Sequence, residues 1–222
     1  MYTPFHCPRG RPATKDMLSA DWYFDFISPY SYFSSLRLDA LGDRVTIRHH
    51  PILLAALLQH WGQKGPAEIP SKRKWTYRWC TWLAEQNHIP FRMPAVHPFN
   101  PLPYLRLAHA ADCTPQAIHT IFYALWTTGA DPRGPSLVSD LAGRLEISPA
   151  RLEEQAIKDA LRERTDRAIA HGVFGVPTFC IDGELFWGAD SVGLLQDYLA
   201  DPAIFDQTEM RRADTLPIGV QR

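Results

Sequence analysis

The chain has 222 residues, of which 45% are hydrophobic and 21% are charged. These values are ordinary for a globular protein, so disorder is not expected away from the chain ends, and one domain, or a domain with an insertion, is expected. The 23 basic and 24 acidic residues nearly cancel, which excludes the charge expected of a general nucleic-acid binder and favours a small-molecule partner.

The cysteines and the N-terminal segment indicate where the protein works. Cys7, Cys80, Cys113 and Cys180 stand far apart, and no two have the C-x-x-C spacing of a redox dithiol or a zinc half-site. This usage favours a reducing, cytoplasmic setting. Residues 1–20 lack the apolar core of a secretory signal, so we expect a flexible leader. No run of about 18 apolar residues occurs, and the nine histidines show no H-x-x-x-H or H-x-x-E-H spacing, so neither a membrane span nor a metal site is expected.

The first structural unit is predicted to be a strand, a helix and a second strand. Residues 21–27 alternate in the manner of a strand. Ser28 and Pro29 then form a typical helix start, because serine caps free N–H groups and proline needs no donor at the first helical position. Apolar residues recur at helical spacing until Gly42, and residues 45–50 alternate again.

Residues 51–171 are predicted to be almost wholly helical, with no internal repeat. A helix near 71–87 has four large apolar residues on one face, namely Trp75, Trp79, Trp82 and Leu83. Two Thr/Ser-Pro pairs are expected to open further helices, and two glycines to end them: Thr114-Pro115, Ser148-Pro149, Gly129 and Gly172.

After Gly172 the pattern returns to strands. TFCI and ELFW, joined by Asp182-Gly183, predict a hairpin with a two-residue turn. A last helix is expected from about Ser191 to Ala200, and residues 203–222 are expected to form a tail. The order β-α-β, helices, β-β-α predicts an α/β fold in which both groups of strands share one sheet.

Five segments in this order resemble 2-hydroxychromene-2-carboxylate isomerases, over roughly residues 21–200. They are YFDFISPYSYFSS at 23–35, KGPAEIPSKRK at 64–74, HPFNPLPYLRLA at 97–108, GVFGVPTF at 172–179 and FWGAD at 186–190. The resemblance implies a thioredoxin-like fold with a large all-helical insertion domain, as in DsbA-like proteins and kappa-class glutathione transferases. It divides the chain into a thioredoxin-like domain, 21–50 plus 172–202, and a helical domain, 51–171. It also implies a homodimer.

Ser28 is the catalytic residue that this resemblance implies. In redox relatives the helix at this turn carries C-x-x-C, whereas here it reads Ser28-Pro29-Tyr30-Ser31, so dithiol chemistry is absent. A serine hydroxyl can instead donate a hydrogen bond to the thiolate of bound glutathione, which the positive end of the helix also favours. The alternative is that Ser28 only caps the helix. Tyr30 and Ser31 are expected to be structural.

Glutathione is the implied cofactor, and six residues are expected to bind it: Gln63, Lys72, Val176, Pro177, Asp190 and Ser191. Pro177 is predicted to be cis, so that the backbone of Val176 pairs with the peptide groups of glutathione, although a simple strand entry is the alternative. Asp190 suits the γ-glutamyl ammonium, and the helix start after it suits the carboxylate; a plain cap is its rival. A solvated basic segment is the alternative for Lys72.

The substrate is expected to be a flat aromatic carboxylate. Four residues are candidates for binding it: Trp75, Phe99, Asn100 and Trp187. Their alternatives are core packing for the aromatic residues and ordinary turn chemistry for Asn100.

The resemblance implies a cis-trans isomerase of aromatic catabolism that converts 2-hydroxychromene-2-carboxylate-like compounds to trans-hydroxybenzylidenepyruvates. Addition of glutathione opens the ring and permits rotation, and its elimination returns the cofactor unchanged. Two alternatives remain. A kappa-like glutathione transferase would release a conjugate of higher mass, and a thioredoxin-fold binding or chaperone-like module would show no response to glutathione.

Overall fold

Residues 18–220 are described by a computed structural model, except for the side chains of residues 43 and 44. They contain a four-stranded mixed sheet of order β2-β1-β3-β4. The central strand β1 is parallel to β2 and antiparallel to β3, which is antiparallel to β4. The strands are β1 (Leu18–Phe24), β2 (Val45–Pro51), β3 (Thr178–Ile181) and β4 (Glu184–Trp187).

Helices surround this sheet, and six of them, α2 to α7, lie between β2 and β3. The helices are α1 (Pro29–Ser35), α2 (Leu54–His60), α3 (Pro70–Gln86), α4 (Leu102–Ala110), α5 (Pro115–Thr127), α6 (Pro135–Arg144), α7 (Gln155–Ala170), α8 (Val192–Ala200) and α9 (Thr208–Ala213). Short 3₁₀ segments cover Leu38–Arg44, Pro66–Glu68, Pro149–Glu153 and Pro202–Asp206. No helix in residues 18–220 is both long enough and apolar enough to cross a membrane.

The predicted thioredoxin-like arrangement is confirmed. The β-α-β unit and the C-terminal hairpin meet in one sheet, and the hairpin turn has Asp182 at φ 50° and Gly183 at φ 85°. Two residues with positive φ match the twist of antiparallel strands, which is why the Asp-Gly pair predicted the turn correctly. Gly129 and Gly172 also adopt positive φ after α5 and α7, as predicted for glycines that end helices.

The alternation in β1 separates two buried faces. Trp22 and Phe24 stack with ring centroids 4.2 Å apart, and Phe122 of α5 packs against both. Tyr23 points the other way into a smaller cluster that includes Val173. Because both faces of β1 are buried, its sequence is a nearly continuous run of aromatic residues.

Four predicted boundaries differ from the structure. The strand β1 begins at Leu18 and not at residue 21, and residues 1–17, which make up most of the expected leader, lie outside the described part. The first helix ends at Ser35 because the Ser35 hydroxyl bonds to the Tyr32 carbonyl at 2.6 Å and competes with the helical pattern. A 3₁₀ segment then follows.

The third difference concerns Ser148-Pro149, which opens only a 3₁₀ segment. Glu154 has extended backbone angles, so the chain leaves helical geometry before α7. The fourth concerns the tail, in which Pro202–Asp206 is a 3₁₀ segment and Thr208–Ala213 is the helix α9. Phe205 stacks on Phe186 with centroids 5.6 Å apart, and this contact anchors a segment whose periodicity is weak.

Candidate active site

Ser28 lies at the junction of β1 and α1, where both the strand and the helix position it. Its backbone is extended, and its Oγ accepts a hydrogen bond from the backbone N–H of Ser31 at 3.2 Å. The residue is 6% exposed. Among residues 18–220 no group accepts its hydroxyl proton. Ser28 therefore caps the helix as an acceptor and keeps its own O–H available as a donor.

The backbone before Ser28 is held by a buried carboxylate. Asp25 is fully buried, and its two oxygens accept from the N–H groups of Ile27 at 3.1 Å and Leu54 at 2.9 Å. Burial raises the pKa of this carboxyl to about 7, although the hydrogen bonds from Leu54, Ile27 and Phe26 oppose the shift. Asp25 thus connects the backbone just before Ser28 with the start of α2.

The side chain of His97, which lies between α3 and α4, holds the backbone carbonyl of Ile27. The Nε2 atom of His97 lies 2.8 Å from the carbonyl oxygen of Ile27, and Nδ1 lies 2.7 Å from the Tyr77 hydroxyl. Burial lowers the pKa of His97, which favours the neutral ring. A carbonyl can only accept, so Nε2 carries the proton. The single proton of the Tyr77 hydroxyl faces both Nδ1 and the carbonyl oxygen of His97, which lies 2.8 Å from that hydroxyl.

Trp126 completes this support from α5. Its indole N–H donates to the carbonyl of Phe26 at 3.0 Å, and its ring meets that of His97 at a steep angle. The two carbonyls that precede Ser28 are therefore both fixed by side chains distant in sequence. Such support keeps a site in one geometry before any ligand binds.

The Val176-Pro177 peptide bond is cis, as predicted. In the antiparallel register Tyr23 lies opposite Thr178, so continuing the register places Val176 opposite Asp25, close to the turn that carries Ser28. Among residues 18–220 no hydrogen bond occupies the backbone N–H or C=O of Val176. An unpaired peptide edge of this kind is where an extended ligand adds like a short strand.

Trp187 forms one wall beside this edge. It is 56% exposed and packs on Phe174 with ring centroids 5.1 Å apart. A Cβ added to Gly175 would lie 2.6 Å from the indole Nε1, so only glycine lets the ring approach the backbone this closely. The N–H of Gly188 donates to the Pro177 carbonyl at 2.9 Å, which joins the Trp187 loop to the cis peptide.

The segment before α8 reaches α1 as well. Asp190 is exposed, and its Oδ1 occupies the space where a Cβ of Gly188 would sit. Burial raises the pKa of Tyr30, and the charge of Asp190 adds to this shift. The Arg37 side chain donates to the Ala189 carbonyl at 3.4 Å. These contacts bring Asp190 near the helix that begins at Ser28.

Ser191 directly precedes α8, as predicted, but its hydroxyl donates to the Gly188 carbonyl at 2.8 Å. It therefore stabilises the loop instead of capping the helix. The structure thus brings together Ser28, Val176, Pro177, Trp187 and Asp190 around one turn.

Four other predicted residues make no direct contact with this group. Within residues 18–220 no hydrogen bond, ion pair or ring contact joins them to it, and all four are exposed. Gln63 is exposed after α2, and Lys72 and Trp75 are exposed on α3. Asn100 is also exposed, and its Oδ1 accepts from the Leu102 N–H at 3.1 Å, which is ordinary turn chemistry.

Phe99 lies in the core. It is 7% exposed and meets the rings of His97 and Tyr104 at steep angles. It supports the back of His97 and is not an open wall for a substrate.

Sequence reasoning missed Asp25, Tyr77 and His97. The signal for His97 was present, because it begins the HPFNPLP segment, in which only the asparagine and phenylalanine were considered. Asp25 interrupts an otherwise apolar aromatic strand, and a charge at such a position needs buried partners. No comparable sequence pattern marks Tyr77, because the chain has many aromatic residues and nothing distinguishes this tyrosine from the others.

A cavity of about 590 Å³ lies elsewhere, beyond the C-terminal end of α1. His49 and His119 are among its lining residues, and none of the predicted site residues is. In the described part of the chain no cluster of His, Cys, Asp and Glu suits a metal ion.

Comparison with known proteins agrees with this architecture. The family model of the DSBA-like thioredoxin domain matches residues 20–200. A protein named 2-hydroxychromene-2-carboxylate isomerase from Pseudomonas sp. (strain C18) is 32% identical over 190 residues, which cover 80% of this chain and 88% of that protein.

Two further similarities point in the same direction. A protein named glutathione S-transferase kappa 2 from Caenorhabditis elegans is 26% identical over 211 residues, which cover 82% of this chain and 91% of that protein. A solved structure of a 2-hydroxychromene-2-carboxylate isomerase superimposes with a TM-score of 0.74 at 26% identity, over 90% of this chain and 100% of that one.

Proposed function

Since this chain belongs to the DSBA-like thioredoxin family and, within it, to the 2-hydroxychromene-2-carboxylate isomerase family, we propose that it is a glutathione-dependent cis-trans isomerase. Its substrates are 2-hydroxychromene-2-carboxylate-like compounds, and its products are trans-hydroxybenzylidenepyruvates. The observation that carries this proposal is the unused hydroxyl proton of Ser28 beside the unpaired backbone edge of Val176.

The residues around Ser28 fit glutathione by their chemistry. Ser28 offers a donor for a sulfur anion, and Val176 offers one N–H and one C=O for a peptide group. The Asp190 carboxylate forms no ion pair within residues 18–220, so it remains available for an ammonium group. Glutathione is a tripeptide that carries all three of these groups, namely a thiol, peptide groups and an ammonium group.

When bound, glutathione would supply a thiolate, the nucleophile needed for reversible addition to the unsaturated carbon of the substrate. Ser28 stabilises the thiolate by donating its O–H, while its Oγ stays fixed by the Ser31 N–H. Val176 orients the peptide portion, and Asp190 holds the amino end. Because these groups hold the sulfur in place, each contributes to the orientation that a bimolecular addition otherwise lacks.

The aromatic part of the substrate is assigned to the exposed side of Trp187. Its indole ring is held from below by Gly175 and from the side by Phe174, so a flat ring system can stack on it without displacing the loop. Lys72 remains our proposed partner for a carboxylate, either of glutathione or of the substrate.

Dithiol chemistry does not fit the same turn. Ser31 occupies the position of the second cysteine of the C-x-x-C motif, and its buried hydroxyl has no hydrogen-bond partner in the described part of the chain. Cys80 on α3 is fully buried, and burial raises the pKa of its thiol to about 12. Within residues 18–220, Cys80, Cys113 and Cys180 form no disulfide bond, which agrees with the cytoplasmic setting that we propose.

A conjugating glutathione transferase is the second candidate, favoured by the similarity to the kappa-class protein. Mass spectrometry of the product distinguishes the two activities. The purified chain is incubated with glutathione and a 2-hydroxychromene-2-carboxylate, and we expect a product of unchanged mass that forms only when glutathione is present. A product heavier by the mass of one glutathione would instead show transferase activity. Turnover without glutathione would contradict the proposed dependence on glutathione.

A further inference from the structure

The cavity beyond the C-terminal end of α1 is separate from the candidate active site. Its volume of about 590 Å³ falls within the range of small-molecule sites. Residues of the segment Leu38–Arg44, of β2 and of the first turns of α5 line it. Ser28 precedes α1, whereas Ser35, the last residue of that helix, lines the cavity. A molecule in the cavity therefore lies at the opposite end of α1 from Ser28.

Part of the cavity wall is apolar. Ile118 is 2% exposed, and Leu38 and Ile47 are half-buried against the main core. The half-buried ring of His49 meets the ring of Trp22 edge-on, with centroids 5.7 Å apart. Apolar walls gain hydrophobic free energy only when they cover apolar groups, so they favour an organic ligand over an inorganic ion.

Two polar side chains of the cavity have used their protons elsewhere. The Ser35 hydroxyl donates to the Tyr32 carbonyl at 2.6 Å, and Gln116 Nε2 donates to the Thr120 hydroxyl at 3.4 Å. Within residues 18–220 no donor reaches Ser35 Oγ or Gln116 Oε1. Both oxygens therefore remain available as acceptors for a ligand.

Asp39 determines the charge of the cavity. Among the lining residues that the structure describes it is the single Asp, Glu, Lys or Arg. Its exposed carboxylate forms no ion pair with another described residue. Burial lowers the pKa of His49, and the nearby His50 adds to this shift, which favours a neutral His49 ring. The negative charge of Asp39 is thus open to a bound cation.

The start of α5 does not oppose a cation strongly. Pro115 has no N–H, and the next two N–H groups but one along the helix are capped by Thr114. Its hydroxyl accepts from Ala117 at 3.4 Å, and its carbonyl accepts from Ile118 at 3.0 Å. Because these N–H groups are satisfied, the helix start attracts anions less than an uncapped one would.

We propose that this cavity binds a small organic cation, namely a primary ammonium group attached to a compact apolar body. The ammonium has three N–H donors, for which Asp39, Ser35 and Gln116 offer acceptors. The apolar body lies against Leu38 and Ile47. Anions of the same shape are rejected, because Asp39 repels them. The proposal does not depend on the reaction catalysed at Ser28.

The exposure of Asp39 sets the expected strength. An exposed ion pair contributes little free energy, so most of the affinity comes from the apolar body. Benzylamine, with about eight non-hydrogen atoms, is a suitable probe, and we expect a Kd of about 1 mM for it. Benzyl alcohol and benzoate have nearly the same shape but carry no charge and a negative charge, respectively.

Titration of the full chain with each of these three probes, followed by NMR of backbone amides, tests the site. Benzylamine should shift the signals of Ile47, His49 and Ile118. Benzyl alcohol should bind at least about fivefold more weakly, and benzoate more weakly still. Equal binding of benzylamine and benzyl alcohol, or tighter binding of benzoate, would overturn the proposal. So would benzylamine shifts confined to Trp187 and the residues around Ser28.

A pair of carboxylate variants tests the role of Asp39. Asp39→Asn should weaken benzylamine binding about fivefold and leave benzyl alcohol binding unchanged, since only the charged probe uses the carboxylate. The matched control is Asp140→Asn, an exposed carboxylate on α6, which should not alter the binding of either probe. Both positions are exposed, so both variants should fold. Benzylamine binding that Asp39→Asn leaves unchanged would refute the site.

Discussion

The Nε2 atom of His97 lies 2.8 Å from the carbonyl oxygen of Ile27, the residue directly before Ser28. This bond crosses from the helical region into the sheet and fixes the peptide that delivers the serine. Its geometry makes His97 a positioning residue, because it acts on the backbone of Ser28 and not on a ligand.

Replacing His97 should misplace Ser28 without unfolding the protein. We expect His97→Leu to lower kcat about tenfold, because the Ile27 carbonyl loses its donor and the turn gains freedom. His97→Gln, which keeps an N–H donor, should recover part of the loss, whereas a purely structural role would not distinguish the two variants. His119→Leu, at an exposed position of α5, is the control and should keep full activity.

Asp25 should make the free energy of unfolding depend on pH. Burial raises its folded-state pKa from 3.8 to about 7, so the folded state prefers the protonated form. The resulting stability is fully present below the unfolded pKa and is lost as pH rises from about 4 to about 7. Urea unfolding of the wild type and Asp25→Asn across this range should show that decline in the wild type only. Parallel curves for the two proteins would contradict the assignment.

Trp187 should affect substrate affinity more than turnover. Because its ring lies at the open side of the site, Trp187→Ala should raise KM for the aromatic substrate severalfold with a small change in kcat. Gly175→Ala should act similarly, since its methyl group would displace the indole ring. Tyr123→Ala, at an equally exposed aromatic position on another helix, should leave KM unchanged. An unchanged KM in both Trp187→Ala and Gly175→Ala would remove Trp187 from the substrate site.

Ser28 should be required for activity and dispensable for folding. Ser28→Ala should lower kcat by roughly 100-fold, the usual loss when one donor to a developing or bound anion is removed. Its loss as a cap should cost only about 1 kcal/mol of stability. Ser34→Ala is the matched control, because Ser34 is buried in the same helix and its hydroxyl has no partner in the described part of the chain. Equal activity in the two variants would reduce Ser28 to a cap.

Much of the fold followed from local patterns in the sequence. The Ser28-Pro29 helix start, the Asp182-Gly183 turn and the glycine after α5 depend on backbone preferences of single residues, which neighbours in space do not alter. The extent of α1 did not follow, because it depends on the hydroxyl bond of Ser35. The anchoring of Phe205 depends on Phe186, which is distant enough in the chain to leave no periodic signal.

The candidate site was predictable only in part for the same reason. Ser28, Val176 and Asp190 were predicted from the family resemblance and from their places next to a strand end or a helix start, and their binding roles stay predictions. His97 and Tyr77 act through a contact that spans about 70 residues between His97 and Ile27, and no local pattern encodes it. The exposure of Trp75, Trp79 and Trp82 on α3 also depends on packing, which the helical spacing of these residues does not reveal.

The most direct test of the account is the ionisation of glutathione bound to the protein. Thiolate absorbance is followed as a function of pH for glutathione with the wild type, Ser28→Ala and Ser34→Ala. We predict that the bound thiol ionises well below the pKa of about 8.5 of an ordinary thiol in the wild type and in Ser34→Ala, and returns towards that value in Ser28→Ala. The same lowered pKa in Ser28→Ala, or no lowering in the wild type, would contradict the role of Ser28 as the donor to the thiolate.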